Sequence, residues 1–157
     1  MNFRDLTKTV KKTQWIFLAA AAALLVLSAT LFFAKNFGDR RVFRFQSVDS
    51  GRNNVEWRLL PSRKGSEKIS LYVDELLLGP KTERCRPVFS PGTKALFCFE
   101  RDRVLYVNFT GKLLDQSGNA SGIMEGIEIF KKNVLFAFPR LKQVEIYIDG
   151  KGLLKEF

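Results

Sequence analysis

Residues Lys94–Phe109 read KALFCFERDRVLYVNF, and this stretch decides the fold. Two apolar-rich runs, Lys94–Glu100 and Val104–Phe109, flank the charged Arg101-Asp102-Arg103, the pattern of two antiparallel strands around a tight turn. A three-residue loop at Arg101–Arg103 predicts Phe99 opposite Leu105, Phe97 opposite Val107 and Ala95 opposite Phe109, gathering bulky apolar side chains on one face. That register leaves Cys98 and Tyr106 on the other face. A two-residue loop instead pairs Phe97 with Tyr106 and mixes the faces.

Upstream, Phe43 and Phe45 alternate with Arg44 and Gln46, Asp49-Ser50-Gly51 turns the chain, and Val55, Trp57 and Leu59 alternate with Glu56 and Arg58. This is a first β-hairpin. Ser66 is placed to cap a helix that carries Ile69, Val73, Leu76 and Leu77 on one face and stops at Gly79-Pro80. Downstream, Ile123, Ile127, Phe130, Val134 and Phe138 recur at helical spacing, with Glu128 and Lys132 forming a favourable i,i+4 pair and Pro139 ending the helix. Val144, Ile146 and Ile148 then alternate in a last strand that reaches Gly150. The order β-β-α-β-β-α-β predicts an α+β domain, a mixed sheet with two helices on one face.

Before all of this stands Trp15–Ala34, WIFLAAAAALLVLSATLFFA, twenty residues without a charge. As a helix they rise roughly 30 Å, the thickness of a bilayer's hydrocarbon core. The run is too long for a cleaved signal peptide, and Leu27-Ser28-Ala29 and Phe32-Phe33-Ala34 put a large residue where a cleavage site needs a small one. No cysteine stands nearby to accept a lipid, so the expectation is an uncleaved signal anchor. Flanking charge leaves its direction open, since Arg4, Lys8, Lys11 and Lys12 precede it while Lys35, Arg40, Arg41, Arg44 and Arg52 follow. The expected layout is a basic tail (1–14), a transmembrane anchor (15–34), a linker (35–41), one domain (42–151) and a C-terminal tail (152–157).

The net charge is +10, with five basic and one acidic residue before Asp39 and 21 basic and 15 acidic residues from Asp39 on. No block of like charge stands alone. With the domain so near the anchor, Lys35, Arg40, Arg41 and Arg44 are expected to meet lipid headgroups.

Four blocks carry a resemblance: Leu76-Leu77-Leu78-Gly79-Pro80, Pro91-Gly92-Thr93-Lys94, Val104–Phe109, and Phe138-Pro139-Arg140-Leu141-Lys142-Gln143-Val144 continuing to Ile148-Asp149-Gly150-Lys151. In order and spacing they resemble the GerM-type (GerMN) domain of sporulation and spore-germination proteins, over about residues 42–151. The resemblance implies a domain outside the cytoplasm, behind a signal anchor or lipoprotein signal, with the N-terminus cytoplasmic. It also implies assembly or scaffolding rather than chemistry. The family's hairpin turn carries a Gly where this chain has Arg101-Asp102-Arg103, so Asp102 or Arg103 must supply the left-handed residue.

Candidate chemistry is thin. The sequence has no His, which removes the usual general base and the commonest metal ligand, and two Cys alone make no zinc site. No catalytic residue, metal ligand or cofactor site is expected. Cys85 and Cys98 are either two free thiols or a disulfide tying the loop after the first helix to the second hairpin. Leu96, Tyr106 and Tyr147 are placed on the uncovered sheet face, a candidate interaction surface. Two function classes follow. One is a non-enzymatic envelope scaffold that binds other envelope proteins or copies of itself. The alternative is a module binding an anionic wall polymer, glycan or lipid headgroup at the membrane surface. Nucleic-acid binding needs the reverse topology.

Overall fold

The computed structural model describes residues 3–34, 38–115 and 120–152. It divides into two units, Met1–Phe37 and Gly38–Phe157. The described residues of the first form one helix, α1 (Phe3–Ala34), which takes in residues 3–14 of the expected basic tail as well as the apolar run. Its Gln14–Phe32 window has a mean hydropathy of 2.3, and none of it is buried.

The second unit holds β1 (Asp39–Ser47), β2 (Asn53–Leu60), α2 (Gly65–Leu77), β3 (Cys85–Arg86), β4 (Ala95–Arg101), β5 (Val104–Phe109), α3 (Ile123–Ala137), β6 (Gln143–Ile148) and β7 (Lys151–Gly152). The predicted order is present, with the two-residue strands β3 and β7 added. β1 starts at Asp39, three residues before the expected domain boundary, which shortens the linker to residues 35–38.

The fold is α+β, but the strands form two sheets instead of one: β2-β1-β3 and the mixed sheet β4-β5-β6-β7, in which β5 and β6 run parallel. The reason lies on the side of β1 away from β2, where β3 pairs only Gln46 and Ser47 and leaves the rest a free edge. There the Tyr72 hydroxyl of α2 donates to the Val42 carbonyl (2.9 Å), and the Asn133 side chain of α3 takes the Arg44 N–H (2.8 Å) and donates to its carbonyl (2.8 Å). Helix side chains thus satisfy backbone groups that a neighbouring strand would otherwise pair. Burial pushes the Tyr72 phenol pKa upward, so it stays a neutral donor.

Both sheets and the helix pair share one core. Phe43 stacks on Tyr72 (4.5 Å between centroids), and Phe109 meets Phe130 edge-on at 5.1 Å. Helix α2 starts two residues earlier than the Ser66 cap predicts: Lys64 is the N-cap, without a side-chain bond. Its end is as predicted. Gly79, at φ +83°, donates its N–H to the Leu76 carbonyl (3.1 Å), a left-handed stop that any side chain would strain. In α3, Gly126 allows close approach, because a Cβ there would meet the Val88 carbonyl and the Phe89 ring.

The register of β1–β2 sets Phe43 opposite Glu56, so Phe43, Phe45, Arg58 and Leu60 share the buried face and Val55, Trp57 and Leu59 point outward. Arg58 is buried under the rings of Phe43 and Phe45, its charge met by Glu56 (3.0 Å), Glu75 (3.3 Å) and the Glu75 carbonyl (2.7 Å). The two terminal nitrogens are thus met while the buried Nε has no partner, and pairing of the charge is what makes a buried guanidinium tolerable.

Candidate functional site: an uncovered aromatic sheet face

The second hairpin departs from the three-residue register. Asp102 (φ +53°) and Arg103 (φ +66°) are both left-handed, the backbone of a two-residue turn whose twist matches the strands it joins. The turn is Asp102-Arg103 and not Arg101-Asp102, so Tyr106 pairs with Phe99 and not with the Phe97 expected of a two-residue loop; the other pairs are Arg101 with Val104, Glu100 with Leu105 and Cys98 with Val107. A bulge at Leu96 then restores the expected pairing of Ala95 with Phe109.

One residue of turn length moves the side chains between the turn and the bulge, Phe97 to Glu100, to the opposite face. Cys98 therefore lies on the helix-covered side, where Ser70 of α2 donates to its carbonyl (3.5 Å) and burial pushes its thiol pKa up to about 11. Small residues suit that side of β4, because α2 packs directly against it. Phe97 and Phe99 go to the open face, 41% and 46% exposed.

There they join the two tyrosines. Phe99 stacks on Tyr106 (5.2 Å, 16°), Phe97 lies 5.7 Å from Phe99, and Phe97 reaches Tyr147 at 6.4 Å. Four rings form a strip across β4, β5 and β6. Behind it, Leu105, Val107 and Phe109 face the core, so the sheet has a dry side and an aromatic open side. Of the residues predicted for this face, Tyr106 and Tyr147 lie within the strip and Leu96 is the exposed bulge residue. Phe97 and Phe99 are the additions, and a type I′ reading of Asp102-Arg103 would have found them.

The other anticipated residues fare differently. Cys85 lies on β3 of the first sheet and Cys98 on β4 of the second, and both are free thiols, so no bond ties loop to hairpin here. Arg40 is exposed, with its guanidinium 5.6 Å from the Trp57 ring. Arg41 turns inward instead: it donates to the Ala137 carbonyl (3.1 Å), lies over Phe138 and pairs with Asp39, which takes it away from the headgroup set. Arg44 lies 3.8 Å over Phe136, and Lys35 falls outside the described residues. Among the described residues, no group of three or more His, Cys, Asp or Glu could hold a metal ion.

The sequence profile of the Germane family, described as sporulation and spore germination, matches residues 30–154. The chain belongs to the Germane family. Its second unit is a GerMN-type domain. The first GerMN domain of the sporulation protein GerM from Bacillus subtilis superimposes with a TM-score of 0.52 at 14% identity, over 71% of this chain and 85% of that one. The tandem GerMN domains of the same protein give 0.51 at 15% identity, over 73% and 41%. At such identities the likeness speaks for the fold alone. An uncharacterized lipoprotein of Treponema pallidum (strain Nichols) is 26% identical over 80 residues, 51% of this chain. The chain spans 60% of that relative's length.

Proposed function

We propose that this Germane-family chain is a non-enzymatic, membrane-anchored interaction domain of the cell envelope. It holds its GerMN-type domain outside the cytoplasm and associates with copies of itself, or with another envelope protein, through the aromatic face of its second sheet. The observation that carries the proposal is the strip of Phe97, Phe99, Tyr106 and Tyr147, rings on a sheet face that neither α2 nor α3 covers. Exposed Phe pairs lose favourable burial unless a partner supplies it, and aromatic residues are enriched at protein interfaces. The apolar helix α1 and the likeness to a protein named as a lipoprotein support membrane anchoring and an external domain. In this chain the only cysteines are Cys85 and Cys98, so the proposed anchor is the helix itself and not a lipid on a cysteine after it.

The test is sedimentation of the full chain in detergent, at low and high salt, beside a Phe99→Glu/Tyr106→Glu variant. Ring-driven association is expected to persist in high salt and to vanish in the variant. A photo-crosslinking amino acid in place of Tyr106 extends the test to cells, where adducts of self or of another protein are expected. A monomer without adducts that binds isolated cell wall only at low salt would overturn the proposal in favour of the alternative, a module for an anionic polymer, which the basic excess supports.

A further inference from the structure

We infer that the outer face of the β1–β2 hairpin is a docking surface for the anionic lipid bilayer that carries the anchor. This inference rests on the membrane-anchored reading above but uses a different surface from the aromatic strip. The register sets Arg40 opposite Leu59, Val42 opposite Trp57 and Arg44 opposite Val55, all on one side of the hairpin. Trp57 is 60% exposed, Leu59 70% and Val55 52%. The acids of the two strands, Asp39 and Glu56, lie on the opposite, core-facing side, and the third acid of the hairpin, Asp49, is in the turn at the end away from the anchor.

The face thus combines an apolar ridge with two cations, and its own strands add no carboxylate; Glu125 and Glu128 of α3 border it only at the Arg44–Gln46 end. That is the chemistry of an anionic interface. Tryptophan and aliphatic groups settle at the boundary of headgroups and acyl chains, while arginines reach phosphates. Both arginines are held against rings, Arg40 at 5.6 Å from the Trp57 centroid and Arg44 at 3.8 Å from that of Phe136, itself half-exposed. This leaves each guanidinium's edge donors available to phosphate oxygens.

Chain length argues for the same occupant. Between Ala34, the last residue of α1, and Asp39, the first of β1, stand four residues, which reach at most about 17 Å. The register ties Arg40, the second residue of β1, to Leu59, so the exposed ridge begins at the tethered end of the hairpin. Headgroups are within reach of this face at high effective concentration, without diffusion in three dimensions.

The chain's two tryptophans make the test selective. Full chain is reconstituted in vesicles of phosphatidylcholine with or without phosphatidylglycerol, using lipids brominated high on the acyl chain as quenchers. A Trp15→Phe chain reports Trp57, and a Trp57→Phe chain reports Trp15. Trp57 is expected to shift to the blue and be quenched in anionic vesicles, less so in neutral vesicles or 1 M salt. Arg40→Gln/Arg44→Gln should lower the docked-to-undocked ratio roughly 25-fold, about fivefold per arginine. Trp57 left unquenched in anionic vesicles overturns the docking, whatever Trp15 does, and makes the face a protein or polymer site. Trp15 left unquenched overturns the anchor alone, and Trp57 quenching then upholds docking as a peripheral contact.

Discussion

Replacing Asn133 by Leu should remove the connection between helix α3 and the free edge of β1. Leucine keeps the branching and the number of side-chain heavy atoms at a position that is 1% exposed, although its methyl groups are bulkier than the amide. What is lost is hydrogen bonding. Oδ1 accepts the Arg44 N–H and Nδ2 donates to the Arg44 and Ile129 carbonyls, at 2.8, 2.8 and 2.9 Å. Each satisfied pair contributes about 1 kcal/mol net, and a partner left unpaired away from water costs about 1–3 kcal/mol. The Ile129 carbonyl keeps its helical partner, so the loss is about 3 kcal/mol from the two Arg44 groups. For the 119 residues from Asp39 on, unfolding entropy makes 1 kcal/mol worth roughly 4 °C, so the melting temperature should fall by about 12 °C. Near-UV circular dichroism of the full chain in detergent reads this directly. Lys132→Leu, next in sequence, removes only the exposed Glu128 ion pair (3.1 Å) and serves as a control, with an expected loss of about 0.5 kcal/mol. If Asn133→Leu melts within 2 °C of the parent, Asn133 does not replace a strand, and the account of why the sheets separate is wrong.

Gly126→Ala should destabilise by about 1–3 kcal/mol despite the gain in helix propensity, because the new methyl group meets the Val88 carbonyl; thermal melting checks it. Arg103→Gly should do the opposite. It relieves a left-handed non-glycine residue and should raise stability by about 1 kcal/mol in urea unfolding, with the Lys142 N–H to Arg103 carbonyl bond (2.8 Å) retained. Cys98 should resist alkylation at pH 8 in the folded chain and react once denatured, since burial pushes its thiol up to about 11. The linkage runs with it: the unfolded thiol ionises near its ordinary 9.0 while the folded one keeps its proton, so stability should fall as pH rises from about 9 to 11. Cys98→Ala should flatten that limb, and an unchanged alkaline limb would refute the assignment.

Much of the architecture is legible before any coordinates. Twenty uncharged residues mark the 15–34 part of α1, though not its charged first turns. Period-2 alternation defines the strands, 3.6 periodicity with Gly-Pro and Pro stops defines α2 and α3, and the Glu128–Lys132 pair forms as predicted. The candidate site was only half visible. Tyr106 and Tyr147 lie where alternation puts them, but the three-residue register sets Phe97 and Phe99 on the face opposite Tyr106, with the other bulky apolar side chains of the hairpin. The structure reverses this because Asp102 and Arg103 both accept φ above +45°, and because the side of β4 under α2 is filled by helix side chains and takes Ala95 and Cys98 instead.

By itself, then, the sequence determined the elements, their order, the α+β class and the apolar helix, all of which follow from local periodicity and stop signals. Only the tertiary structure decided which face of each hairpin looks outward, that the strands divide into two sheets, and that Cys85 and Cys98 stay apart. The physical reason is common to all three. Alternation fixes that two faces differ but not which one is dry; that depends on one residue of turn length and on distant side chains, Tyr72 and Asn133 above all, that reach across to meet the backbone of β1.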